Sequence, residues 1–127
     1  MPINVTYDPE SNLLTCKIVG HIEVEDYQKV LYEILTSDEY PAHVSTLWDL
    51  LDMKFDNIDL NFEKKLVEVR QQFRHQRGAA KIALLYDNHL ADPLVKLYGI
   101  LSKDLSHNTK VFTVYEEAIY WLVYGDE

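Results

Sequence analysis

Ala79-Ala80-Lys81-Ile82-Ala83-Leu84-Leu85-Tyr86-Asp87 decides how the rest of this chain is read. One charge stands near its start, five apolar or aromatic residues follow without interruption, and Asp87-Asn88 breaks the run. Crossing a bilayer takes about 20 apolar residues, so this segment is far too short to span one. A strand covered on both faces reads as a continuous apolar run of this length, because neither side chain row meets water. The stretch is therefore expected to be the inner strand of a mostly parallel sheet, with helical patterns before and after it.

Working outward toward the N-terminus, Ile3, Val5 and Tyr7 alternate with Asn4, Thr6 and Asp8, the period of a half-buried strand. Asp8-Pro9-Glu10-Ser11-Asn12 is dense in turn residues, and Leu14, Cys16 and Ile18 then alternate with Thr15 and Lys17, which predicts an antiparallel hairpin. Tyr27, Leu31, Ile34 and Leu35 fall on one helical stripe, with Glu23, Glu25 and Asp26 around the first turn, where the helix dipole favours acids. Tyr40-Pro41 marks a loop, Val44 to Leu50 a strand, and Leu51 to Asn57 a polar, aromatic connection at its carboxyl end. A long helix is expected from Asp59 to Arg77, with Phe62, Leu66, Val69 and Phe73 inward and Gly78 as its stop. After the inner strand, Asp92-Pro93 opens a helix with Leu94, Leu97, Leu101 and Leu105 inward, which His107-Asn108 ends. Lys110 to Tyr115 forms the last strand, and Glu116-Glu117 opens the last helix with Ile119 and Leu122 inward.

The order is β-β-α-β-α-β-α-β-α, a single domain over residues 1–127. It predicts an α/β fold with a mixed, mostly parallel five-stranded sheet whose first strand is antiparallel and at an edge. The 127 residues, 47% of them apolar, suffice for a real core. Twelve basic against 21 acidic residues give a net charge of −9, which repels phosphate backbones and anionic lipid surfaces and sets nucleic acid aside as a partner. A single cysteine, Cys16, excludes an internal disulfide and fits a reducing, cytoplasmic compartment. No signal-peptide pattern opens the chain, and no membrane insertion is expected.

Several stretches together resemble the SpoIIAA-like (STAS-type) domains, whose fold relates to Sec14-type lipid-binding domains. Gly20-His21-Ile22-Glu23-Val24-Glu25-Asp26-Tyr27 is similar to the family's glycine, spacer and "ED-aromatic" opening of the first helix. Leu47-Trp48-Asp49-Leu50 resembles its "hhDL" strand ending, followed at the expected distance by Phe55. Lys81-Ile82-Ala83-Leu84-Leu85 resembles its central "K-h-A-h-h" strand, and Lys110-Val111-Phe112 with Glu116-Glu117-Ala118-Ile119-Tyr120-Trp121-Leu122 its closing "VF…EEAhxWL". The resemblance implies a non-catalytic regulatory or protein-interaction module. Its Sec14 side implies the alternative of a carrier or sensor of a lipid or other small apolar ligand. One departure is plain. Where the phospho-switch members carry Asp-Ser-Ser-Gly, this chain has Asn57-Ile58-Asp59-Leu60, with no hydroxyl to phosphorylate.

Open parallel sheets bind ligands beyond the carboxyl ends of their strands, which here offer Asp52, Met53, Lys54 and Phe55 from one strand and Asp87, Asn88 and His89 from the next. These seven are the candidate contacts for a protein partner or ligand. Acids there, Asp49 and Asp52 among them, would suit a magnesium ion, but Asp52, Asp56 and Asp59 equally suit turns and helix caps, and no metal or cofactor is expected. The five histidines lie in different segments without metal-ligand spacing. Arg74-His75-Gln76-Arg77 offers cations for an anion or for the end of a helix. Cys16 falls on an inward strand face without a basic neighbour on that face, as a core cysteine does. No catalytic motif is present, so no enzyme is expected. Tyr120-Trp121-Leu122-Val123-Tyr124 is apolar all round its helix, so part of it must face outward; Tyr120, Trp121 and Tyr124 are the candidate residues for a homodimer contact.

Overall fold

In a computed structural model, the described residues are 2–41, 44–72, 81–87, 89–101 and 109–125. They form β1 (Ile3–Asp8), β2 (Leu13–Gly20), α1 (Val24–Thr36), β3 (Ser45–Met53), α2 (Leu60–Gln72), β4 (Ile82–Leu85), a single 3-10 turn (His89–Ala91), α3 (Asp92–Leu101), β5 (Thr109–Phe112) and α4 (Tyr115–Tyr124). The sheet has five strands in the order β1-β2-β3-β4-β5. β1 pairs antiparallel with β2, and every later pair is parallel. The α/β order, the mixed five-stranded sheet and the antiparallel edge strand are those expected from the sequence.

Because each crossover from β2 onward steps the same way across the sheet, the right-handed rule sends α1, α2 and α3 to one face. Packing agrees: α1 lies on α2 and α2 on α3, while α4 packs on β3, β4 and β5. Strand alternation then assigns the two cores. Leu14, Cys16, Ile18 and Trp48 join Tyr27, Val30, Leu31 and Ile34 of α1 and Val69 of α2. Leu47, Ala83 and Leu85 join Ala118, Trp121 and Leu122 of α4. A smaller cluster of Tyr86, Ala91 and Val95 fills the end of β4, with Leu50, Phe55 and Leu84 against it. β4 thus has a strand on each side and apolar packing on both faces, as its unbroken run requires. Cys16 is fully buried in the first core.

Local chemistry sets the element ends. Asn12 adopts φ 52° in the β1–β2 turn, a left-handed conformation that asparagine tolerates. Its carboxamide oxygen accepts a hydrogen bond from the Tyr7 hydroxyl at 2.8 Å. Asp26 Oδ2 accepts from the backbone N–H of Glu23 (2.8 Å), and Asp59 Oδ1 from that of Phe62 (2.8 Å), so acids hold the first turns of α1 and α2. Gly20 ends β2 at φ 77°, and its carbonyl accepts the N–H of Lys54 at 2.9 Å.

Three expectations shift. β3 runs on to Met53 instead of ending at Leu50, because β2 continues beside it and pairs Val19 with Asp52 and Gly20 with Met53. β5 ends at Phe112 instead of Tyr115, because it pairs only with the four residues of β4 and α4 begins at Tyr115. Among the described side chains of α3, Val95 is buried and Leu94 and Leu97 are half-buried, while the side chain of Leu101 is outside the described ones. Phe73, Arg74, His75, Arg77, Gly78, Leu105 and His107 lie outside the described residues, as do Ala79 and Ala80 of the opening stretch. Among the described residues no helix is long and apolar enough to cross a membrane.

Candidate functional site

The strand-end candidates sort onto two faces of the sheet, and a bulge in β3 does the sorting. Between the pairs Lys17↔Asp49 and Val19↔Asp52, β2 advances two residues and β3 three. The extra residue reverses the alternation, so Asp49 and Asp52, three apart, share one face. Both reach Lys17: its Nζ lies 3.2 Å from Asp52 Oδ2 and 4.0 Å from Asp49 Oδ2. Asp49 Oδ1 also accepts the Leu51 N–H at the bulge, at 3.1 Å. The hydrogen bond to Asp52, followed by the fields of both acids, holds the Lys17 ammonium above its usual range.

α4 covers this face over β3, β4 and β5, and its core also buries Leu13 at the start of β2. Among the described residues the rest of the β1–β2 half is open, with Asn4, Thr6 and Lys17 exposed and Thr15 half-buried. Val19 (49% exposed) and Leu51 (38%) leave apolar surface beside Asp52 and Lys17.

Of the other candidates, Met53 and Phe55 pack on the opposite face, and Lys54, Asp87 and His89 stand exposed at the strand ends. Met53 packs against the α1 core. Phe55 packs beside Tyr86, Ala91 and Val95. Lys54 and Asp87 are exposed, and His89 is exposed with its Nδ1 3.7 Å from Asp92 Oδ2. Asn88 lies outside the described residues. Sequence reasoning did not single out the residues that brace this end. Tyr86 donates its hydroxyl hydrogen to Asp92 Oδ1 at 2.6 Å, tying the end of β4 to the start of α3. Burial first, then that carboxylate, pushes the Tyr86 phenol up to about 12, while the bond from Tyr86 holds Asp92 below the usual carboxylate range. His21 Nε2 meets Asp56 Oδ1 at 2.6 Å, and Asn57 Nδ2 donates to the Ile22 carbonyl at 3.0 Å. Two bonds thereby hold the loop after β3 to the loop after β2, and the His21 ring keeps the Asp56 carboxyl low. Among the described residues no three His, Cys, Asp or Glu side chains converge as a metal site.

At α4, Tyr120 and Tyr124 stack one turn apart with ring centroids 5.4 Å apart, and are 67% and 73% exposed. Trp121 turns inward. Its ring lies 5.7 Å from Phe112, beneath the Lys81 and Lys110 ammonium groups at 5.6 and 5.3 Å. The helical period puts it with Ala118 and Leu122, so it serves the core, and the outward pair is Tyr120 and Tyr124 alone.

A third polar group lies where α1, α2 and α3 meet. The Tyr27 and Tyr98 hydroxyls are 3.3 Å apart, and Arg70 Nη1 donates to Tyr98 Oη at 3.3 Å. Glu63, two turns before Arg70 on α2, is 3% exposed, and its Oε2 is buried without a hydrogen-bond partner. Burial pushes its carboxyl up to about 7. The available sequence signal was the polar set Glu63 and Arg70 at helical spacing beside the apolar stripe of α2.

The layered sheet, its antiparallel edge and the helix after the last strand define an α/β domain of SpoIIAA-like architecture. A SpoIIAA-like family model matches residues 13–123, and the chain belongs to that family. It is similar in fold to the crystal structure of an uncharacterized protein with a SpoIIAA-like fold from Shewanella loihica PV-4. The two share 17% identity at a TM-score of 0.62, over 94% of this chain and 91% of that one. No curated protein matches the chain.

Proposed function

We propose that this domain is a non-catalytic, cytoplasmic protein-interaction module of the SpoIIAA-like type, and that its contact surface is the open sheet face beside the end of β3. One observation carries this reading: beyond Leu13 the β1–β2 half of the α4 face is exposed among the described residues, and the bulge turns Asp52 onto that half next to exposed Val19 and Leu51. A rim of opposite charges around modest apolar area is the composition of a transient contact. The strand-end acids and histidines support a non-catalytic role, since each described pair braces a loop or strand instead of facing a shared point. Lys54 and Asp87 extend the surface at its rim, and Tyr120 and Tyr124 offer a separate patch for self-association.

The test reverses two exposed charges, Asp52→Lys with Lys54→Glu, which spares the core. The reading expects this variant to keep its unfolding midpoint and to lose the proteins that the immobilised wild-type domain retains from its own cell extract. An unchanged set of retained proteins at an unchanged midpoint refutes the surface. Tyr120→Ser with Tyr124→Ser is expected to lower the sedimentation coefficient only where the wild-type chain sediments as a dimer.

A further inference from the structure

We infer that Arg70, held in place by the Tyr98 ring and hydroxyl, binds an oxyanion of the phosphate class where α2 meets α1 and α3. The inference is independent of the sheet-face contact proposed above and uses none of its residues.

It begins from charge. Arg70 is half-buried. Among the described residues the ion pairs join Lys17 to Asp49 and Asp52, His21 to Asp56 and His89 to Asp92, and none includes Arg70. A cation removed from water without a counter-charge is costly, so such a group implies a partner outside the fold. The two groups beside it do not supply one. The guanidinium lies 6.0 Å from the Tyr98 ring centroid and donates to its hydroxyl, and that hydroxyl in turn meets Tyr27. Burial drives the Tyr27 phenol well above 10, so Tyr27 is neutral at physiological pH. Glu63 does not neutralise Arg70 either: its carboxyl is raised by burial alone, with no attraction from a cation.

The donor geometry selects the ligand. A guanidinium carries five N–H donors in a planar fork, and Arg70 is seen to spend one of them, on Tyr98. The rest of the fork is a donor set beside two phenol hydroxyls that are already bonded to each other. Oxyanions accept bidentate bonds from such a fork, two phosphate oxygens facing two of its N–H groups. Placement of Arg70 near the end of α2 also favours a cation through the helix dipole, but the dipole leaves the lateral donors unused. Tyr98 holds the guanidinium by its ring and its hydroxyl, which fixes the fork before any ligand arrives.

The experiment titrates uniformly labelled full-length protein with inorganic phosphate at constant ionic strength, following the Arg70 Nε–H and the α2 and α3 amides by NMR. A parallel arm measures cosedimentation with phosphatidylcholine vesicles with and without phosphatidic acid. Saturable shifts at Arg70 with free phosphate, weakened at least about tenfold in Arg70→Met, support a soluble phosphate ligand. Binding confined to the phosphatidic acid vesicles and lost in Arg70→Met supports a lipid headgroup at the same fork. Tyr98→Phe keeps the ring and is expected to weaken either by several-fold; it decides the matter where Arg70→Met does not fold. Asp52→Lys with Lys54→Glu is expected to leave the affinity unchanged, which separates this site from the sheet-face contact. Absence of saturation with both probes, or equal affinity in wild type and in the Arg70 and Tyr98 variants, overturns the inference.

Discussion

Replacing Glu63 by glutamine isolates the contribution of one carboxyl to the pH dependence of folding. Glu63 is 3% exposed on α2, and its Oε2 has no hydrogen-bond partner among the described residues. Burial disfavours the charged form and moves the carboxyl from an ordinary 4.5 to about 7 in the folded protein. Below pH 4.5 the group is protonated in both states and contributes no penalty. Between the two values the folded state holds a proton that the unfolded state releases, so stability falls as pH rises. Above the folded value both states are ionised and the penalty is complete. At roughly 1.4 kcal/mol per pH unit, the gap between 4.5 and about 7 amounts to about 3 kcal/mol. Glutamine cannot ionise. Its amide brings a fixed cost or gain of its own, which does not change with pH. The quantity to measure is therefore the stability of Glu63→Gln minus that of wild type, from urea unfolding followed by circular dichroism, across about pH 4 to 8. It is expected to rise by about 3 kcal/mol between those limits, whatever its value at the acid end. A difference flat across that range would refute the assignment of a buried, ionisable, unpartnered carboxyl at this position.

Two further substitutions probe the α4 side of the sheet. Gly125→Ala places a Cβ 2.5 Å from Trp121 Cδ1 and 2.6 Å from the Trp121 carbonyl oxygen, at a backbone angle any residue adopts, so the fault is crowding alone. It is expected to cost about 1–3 kcal/mol in urea unfolding and to shift the indole fluorescence, since the ring must move. Leu85→Ala empties a fully buried site between β4 and α4 and is expected to cost about 3 kcal/mol, with the denaturant slope unchanged.

What the sequence disclosed and what it concealed divide by range. The run from Ile82 to Tyr86 needed cover on both faces, and it has it, because an unbroken apolar strand has no wet alternative. Alternation along β1 and β2 and the stripe of Tyr27, Leu31 and Ile34 are likewise local statements, each settled within a few residues. The polar group of α1, α2 and α3 is not local: Tyr27 and Tyr98 are 71 positions apart, and no periodicity relates them. Glu63 hid for another reason. It sits next to Phe62 at the edge of the apolar stripe, where charged side chains ordinarily escape to water, and only packing against other elements buries it.

The strand end shows why a window on the sequence groups residues that the fold then parts. Asp52, Met53, Lys54 and Phe55 read as one loop as long as β3 is thought to stop at Leu50. β3 instead outlasts β4: its pairing with β4 closes at Asp49↔Leu85, whereas β2 continues to Gly20 and carries β3 to Met53. The bulge forced within that extension sends Asp52 to the Lys17 face, and Phe55 packs on the other side with Tyr86. The four residues therefore serve two surfaces, and charge reversal at Asp52 and removal of the Phe55 ring should act separately. The first alters the rim of the proposed contact surface; the second opens a gap beneath α3. Loss of partner retention from Phe55→Ala alone, with the unfolding midpoint intact, would mean that the surface wraps the strand end and that the division drawn from the bulge is wrong.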